Sequence, residues 1–189
     1  MNKNMNKKKY MFFMLDVEAT GPAPGLYSMY EFCLMRVDKN MDDYFHAKMS
    51  PLPNAKFDAS AMRICNYTEQ ELCNFTPPSK EMLYCMNWVA DIVGDAIPRI
   101  ISDNPAFDWQ FFNYYCHAYL KKNPFGYSAR RIGDFYAGLK KDFRKDTEWK
   151  RFRKTKHTHN PVDDCRGNIE ALLEFTRSYG IDLVTWTEK

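Results

Sequence analysis

Two carboxylates set two residues apart, Asp16 and Glu18, follow the apolar run Tyr10-Met11-Phe12-Phe13-Met14-Leu15. In an extended segment residues i and i+2 leave the same face, so these acids repel each other unless something positive sits between them. Hard oxygen donors of this kind suit Mg2+ or Mn2+. A second group, Asn104-Pro105-Ala106-Phe107-Asp108, stands at an expected strand-to-helix junction. Asp103 and Asn104 have ordinary helix-cap chemistry, whereas Asp108 is expected a full turn inside the helix, where aspartate is a poor former unless exposed or bound to something. The third group, His157-Thr158-His159-Asn160-Pro161-Val162-Asp163-Asp164, offers two imidazoles and two carboxylates at a helix entrance. Each group alone has a plain structural account, such as Asp163 and Asp164 complementing a helix dipole and the histidines lying on a loop surface. Together they are candidate acids and bases around a metal.

The elements that must position these groups can be read from apolar periodicity. Residues 10–17 read as a strand buried on both faces, ended by the breakers Gly21, Pro22, Pro24 and Gly25. Residues 30–38 and 42–49 read as two more strands, joined at Asp38-Lys39-Asn40. Short helices are expected over 58–65 and 68–73, and a longer one from Pro77-Pro78 to about Val93. A short strand from Pro98 to Ser102 leads into an aromatic helix over 105–121, a short strand over 128–133, a helix around 134–139, and a last helix opening at Pro161. The segment between 140 and 156 is expected to be helical or mobile. This order predicts an α/β fold, a mixed sheet flanked by helices.

Of the 189 residues, 45% are hydrophobic and 16% aromatic, which excludes intrinsic disorder and fits one domain. The domain is expected over 10–180, with a basic flexible tail at 1–9 and a C-terminal tail at 181–189. No run of about eighteen apolar residues is present, so no membrane is expected. The apolar stretch after Lys7-Lys8-Lys9 ends at Asp16, too early for a secretion signal. Six cysteines form no C-x-x-C pair and several lie in apolar segments, the pattern of free thiols in a reducing, cytoplasmic compartment. The net charge of +3 conceals a segment, Lys140 to His159, with nine basic and three acidic residues. Such a patch beside a mildly acidic body suits a phosphate-rich partner; the plainer account is a solvated helix face.

Taken in order, Asp-x-Glu followed by Thr20-Gly21, N-x-x-F-D at 104–108 and H-x-x-x-x-D at 159–164 resemble the three motifs of the DEDDh branch of the proofreading-exonuclease superfamily. The similarity spans about residues 10 to 176. Pro161 stands where that family usually has a small residue, and Asp103 precedes Asn104 where His or Gly is more usual. The loop Gly21-Pro22-Ala23-Pro24-Gly25 and the segment Ser128 to Asp134 look similar to a bacterial and viral subgroup.

The resemblance implies a ribonuclease H-like fold and a 3'-5' exonuclease releasing nucleoside 5'-monophosphates from DNA or RNA. It makes Asp16, Glu18, Asp108 and Asp164 the ligands of two Mg2+ or Mn2+ ions and His159 the general base, with His157 and Asp163 as runners-up at the wrong interval. It also implies substrate contacts at Ala19, Thr20, Asn104 and Phe107. Single-stranded 3' ends are the expected partner, and the resemblance leaves room for a homodimer. The basic residues Arg151, Arg153, Lys154 and Lys156 are expected on the nucleic-acid backbone, and one or two aromatics among Trp109, Phe111, Phe112, Tyr114 and Tyr115 on bases. Two readings from other classes compete: a catalytically silent nucleic-acid-binding or polymerase-associated module, and an interaction domain whose basic loop docks on an acidic partner.

Overall fold

The computed structural model describes residues 9–181 and 183. Strand β1 (Tyr10–Ala19) is the middle of a five-stranded sheet of order β3-β2-β1-β4-β5. Strands β2 (Met29–Arg36) and β3 (Tyr44–Lys48) form an antiparallel meander, closed by Asp38, whose carboxylate accepts the amides of Asn40 and Met41. Strand β4 (Ile97–Ser102) pairs parallel with β1 from Tyr10↔Ile97 to Met14↔Ile101, and β5 (Arg130–Arg131) adds two residues at the edge. The expected tails fall almost entirely outside the described residues. Among the described residues no helix is long and apolar enough to cross a membrane.

Alternation along β1 divides the molecule into layers. Met11, Phe13, Leu15 and Val17 join the core under helices α3 (Pro78–Val93) and α4 (Asp108–Leu120). Phe12 and Met14 face the other core, with Tyr136 of α5 (Ile132–Lys140) and Cys165, Ile169, Leu172 and Phe175 of α6 (Pro161–Ser178). Two short helices, α1 (Ala59–Ile64) and α2 (Glu69–Cys73), are fixed by side-chain caps: Asp58 holds the first, and Thr68 with Glu71 forms a reciprocal box on the second. The arrangement is the ribonuclease H-like mixed sheet flanked by helices that the sequence predicts.

Three differences from expectation bear on the site and its surroundings. Helix α4 starts at Asp108, not at 105, because residues 104–107 form a tight turn in which Asn104 carbonyl accepts the amides of both Phe107 and Asp108. Asp108 is therefore the first helical residue and not one a turn inside. Strand β5 is only two residues long, and α5 begins directly after it. The basic segment is neither a regular helix nor loose: two 3-10 turns, Phe143–Lys145 and Glu148–Phe152, are anchored by the fully buried Trp149.

That segment is held close to α5, since a Cβ built on Gly133 would lie 2.3 Å from the Asp146 carbonyl oxygen. Gly133→Ala should lower stability by about 1–3 kcal/mol, the usual cost of overpacking. Chemical denaturation would read this as a lower midpoint with an unchanged slope.

Candidate active site

The sheet creates the site by ending unevenly. Strand β4 pairs with β1 only as far as Met14, so the last residues of β1 run on beyond it, in the crevice at the carboxyl end of the strands. Asp16 and Glu18 continue the face that carries Phe12 and Met14, which brings them under the start of α6 and toward Asp164. One oxygen from each of Asp16, Glu18 and Asp164 lies within 4.8 Å of the others. Three converging carboxylate oxygens form a hard, anionic donor set that fits a divalent cation.

Asp108 stands beside this trio and outside its tightest cluster. It is buried, and its Oδ2 accepts a hydrogen bond from the Ser102 hydroxyl at the end of β4 and a long one from the Asn104 amide at 3.4 Å. A cleft of about 600 Å3 opens over Asp16, Glu18 and Asp108 and is walled by Asn104, Phe107, Pro22, Ile64, His157 and His159.

Burial pushes the Asp16 carboxyl well above its ordinary range, with Asp108, Asp164 and Glu18 adding repulsion. Glu18 is raised to about 8, first by burial and then by Asp164, Glu31 and Asp108. For Asp108, burial wins over hydrogen bonds from Ser102, Asn104 and the Val17 amide, giving about 7. Lost solvation and mutual repulsion both favour the neutral acid.

Asp164 is differently served. Only 1% of it is exposed, and Oδ1 accepts from Arg153 Nη2 at 2.7 Å and faces His157 Nδ1 at 2.8 Å. Its Oδ2 accepts the His159 amide at 3.1 Å. His159 has φ of 57°, a left-handed conformation that costs energy for a side chain of this kind. Its ring is half-exposed, with Nδ1 3.7 Å from Glu18 Oε1, and meets the His157 ring edge-on at 4.3 Å. Asp163 accepts from Thr158 Oγ1 at 3.0 Å.

The other candidate contacts separate. Asn104 and Phe107 line the cleft, as does Ala19. Thr20 is fully buried: its hydroxyl donates to Lys56 carbonyl at 2.8 Å and accepts the Ser28 amide at 2.9 Å, so it clamps the loop after β1. Arg151 reaches the Tyr136 hydroxyl at 3.1 Å, and Lys154 and Lys156 are exposed. Phe111, Phe112 and Tyr115 are fully buried, Trp109 is partly buried, and Tyr114 is 40% exposed. Sequence reasoning missed Glu31, the cross-strand partner of Glu18, buried and 2.7 Å from His46 Nε2. Its signal was available only through the β1–β2 register.

No protein-family model matches the chain. A 3'-5' DNA exonuclease of Escherichia coli, Cap18, is 32% identical over 137 residues, which cover 71% of this chain and 72% of that protein. The chain belongs to the DEDDh 3'-5' exonuclease family. The exonuclease is thus a nuclease hydrolase acting on nucleic acid from the 3' end. Its fold matches the nuclease domain of 3'hExo bound to rAMP, with a TM-score of 0.71 at 15% identity over 92% of this chain and 94% of that one. It also matches cell-death related nuclease 4, with a TM-score of 0.70 at 14% identity over 90% of this chain and 64% of that one. Exonuclease I of E. coli with single-stranded DNA superposes with a TM-score of 0.62 at 15% identity, over 90% of this exonuclease and 40% of that chain.

The raised carboxyls make the metal-free exonuclease pH-sensitive. Between the ordinary value of 4.5 and about 8, folded Glu18 keeps a proton that the unfolded chain has released. The folded state binds more protons there, so stability should fall as pH rises across that window. Thermal melts in EDTA should show the decline, and Mn2+ should reverse it. Asp16→Asn should raise the metal-free Tm at the alkaline end, by about 2–4 °C per kcal/mol of repulsion relieved.

Proposed function

We propose that this exonuclease shortens single-stranded DNA one nucleotide at a time, with two divalent ions and His159 as general base. The observation that carries the reading is the convergence of Asp16, Glu18 and Asp164 oxygens within 4.8 Å, with buried Asp108 alongside and His159 at the cleft mouth. Asp16, Glu18 and Asp164 would hold one Mg2+ or Mn2+, and Asp108 would support the second. Bound divalent ions supply Lewis-acid stabilisation of the attacking and leaving oxygens of an in-line displacement. The intact acid set argues against a catalytically silent binding module.

The protein's own contribution is placement and a proton acceptor. A ring nitrogen of His159 takes the proton from the attacking water, which a carboxylate committed to metal does poorly. Water bonds to the terminal phosphorus, the bond to the penultimate 3' oxygen breaks, that oxygen takes a proton from solvent to become the new 3' hydroxyl, and a nucleoside 5'-monophosphate leaves. His159 is supported over His157 because the His157 Nδ1 is already engaged on Asp164, while the His159 ring stands beside Glu18. Asn104 and Phe107 line the cleft where the last nucleotide would lie, Phe107 with its ring 5.1 Å from Phe111. Exposed Lys154 and Lys156 are proposed to meet backbone phosphates farther out.

DNA is favoured because the relative that shares 32% of its aligned residues is a DNA exonuclease. Single strands are favoured because Exonuclease I of similar fold binds them.

Labelled single-stranded DNA, duplex DNA and short RNA, each incubated with Mn2+ or EDTA, test the proposal. Mononucleotides should appear from single-stranded DNA first and only with metal; hydrolysis in EDTA, or preference for RNA, would refute it. His159→Ala should lose roughly 10²–10⁴-fold in kcat, the usual worth of a general base, with a changed acid limb of the pH profile. His157→Ala should be milder, and the reverse order would exchange their roles.

A further inference from the structure

We propose that Arg153 is a positioning residue that holds the Asp164 carboxylate in its metal-binding orientation, and that Gly167 is small in order to seat it. The proposal deepens the metal-dependent reading above and rests on it. By charge alone Arg153 belongs with the phosphate-binding side chains of the basic segment. Its surroundings are of another kind. Only 9% of its side chain is exposed, and Nη2 donates to Asp164 Oδ1 at 2.7 Å. Nε donates back to the Thr155 carbonyl at 3.3 Å, which fixes the plane of the guanidinium.

A buried arginine–carboxylate bond is directional as well as charged, since the guanidinium donors lie in a rigid plane. Asp164 Oδ1 is then fully engaged by Arg153 and by His157 Nδ1 at 2.8 Å, while Oδ2 accepts one amide from His159. The spare lone pair is therefore on Oδ2. Partners that fix a ligating carboxylate in this way commonly matter about 10–100-fold for metal affinity.

The second observation comes from α6. Gly167 lies inside that helix, where glycine costs about 1 kcal/mol relative to alanine. A Cβ there would lie 2.5 Å from Arg153 Nε, 2.7 Å from its Nη2 and 2.7 Å from the Thr155 carbonyl. Any side chain at 167 would displace the guanidinium or the turn that carries it. The missing methyl thus makes room for Arg153 one turn along α6 from the carboxylate it holds.

Calorimetric Mn2+ binding without oligonucleotide, paired with kcat and KM at saturating Mn2+, tests this. Arg153→Met should weaken Mn2+ binding by about 10–100-fold and raise the Mn2+ needed for half-maximal rate, with KM for the oligonucleotide within about twofold. Arg153→Lys should recover part of the affinity. Gly167→Ala should weaken Mn2+ binding although every ligand is intact. Circular dichroism confirms the fold of each variant, and Arg153→Lys with Gly167→Ala carry the test where Arg153→Met fails to fold. Unchanged or tighter Mn2+ binding overturns the proposal. So does a raised KM with a flatter salt dependence, the signature of a phosphate contact. Absence of hydrolysis by the wild type would instead remove the exonuclease reading and leave the Mn2+ comparison to stand or fall alone.

Discussion

Four carboxylates gathered in one crevice repel each other, and the rest of the structure is arranged to hold them there. Burial raises Asp16, Glu18 and Asp108 together, so without a cation the folded state is favoured by keeping protons on acids that are ionised in water. A cation inverts that preference. The same arrangement that is unfavourable when empty becomes a strong donor set when filled, and metal binding should release protons. On the proposed reading, stability and activity are therefore coupled through one cluster.

Holding such a cluster requires rigid supports on every side. The central strand supplies two acids on one face, and β2 pairs with it at both positions, Asp16 with Cys33 and Glu18 with Glu31. Asp108 is held by the Ser102 hydroxyl and by a long bond from the Asn104 amide of the turn that precedes its helix. Asp164 is held by Arg153, by His157 and by the amide of His159 in a left-handed conformation. Three separated pieces of chain are thus each fixed by their own hydrogen bonds, which limits the reorganisation needed when a cation or substrate arrives.

Local rules made most of this legible in the sequence. Apolar runs located β1 and β4, Pro161 and the apolar stripe after it located α6, and the three motifs singled out the four acids. What escaped was one local turn and the contacts between distant segments. The start of α4 depends on a turn in which Asn104 carbonyl takes two amides, and a cap-like Asp-Asn-Pro reads as an earlier start. Glu31 joins the site only through its register with Glu18. The burial of Thr20 follows from bonds to Ser28 and Lys56, neither of which a motif names.

Net charge over a segment is the least transferable of the sequence signals, because it counts charges without asking what neutralises them. Between 140 and 159 many of the cations already have partners inside the protein. Arg144 pairs with Asp142, Lys150 with Asp103, Lys145 with Glu148, and Arg153 with Asp164, while Lys140 lies over the Tyr136 and Tyr179 rings. Exposed pairs such as Arg144–Asp142 can still open toward a phosphate at little cost, since they are worth little in water. The buried Arg153–Asp164 pair cannot, because breaking it would strand a charge away from solvent. On the proposed reading, electrostatic steering toward the cleft falls to Lys154, Lys156 and whichever exposed pairs can exchange partners, while Arg153, buried against Asp164, is committed to the proposed metal site.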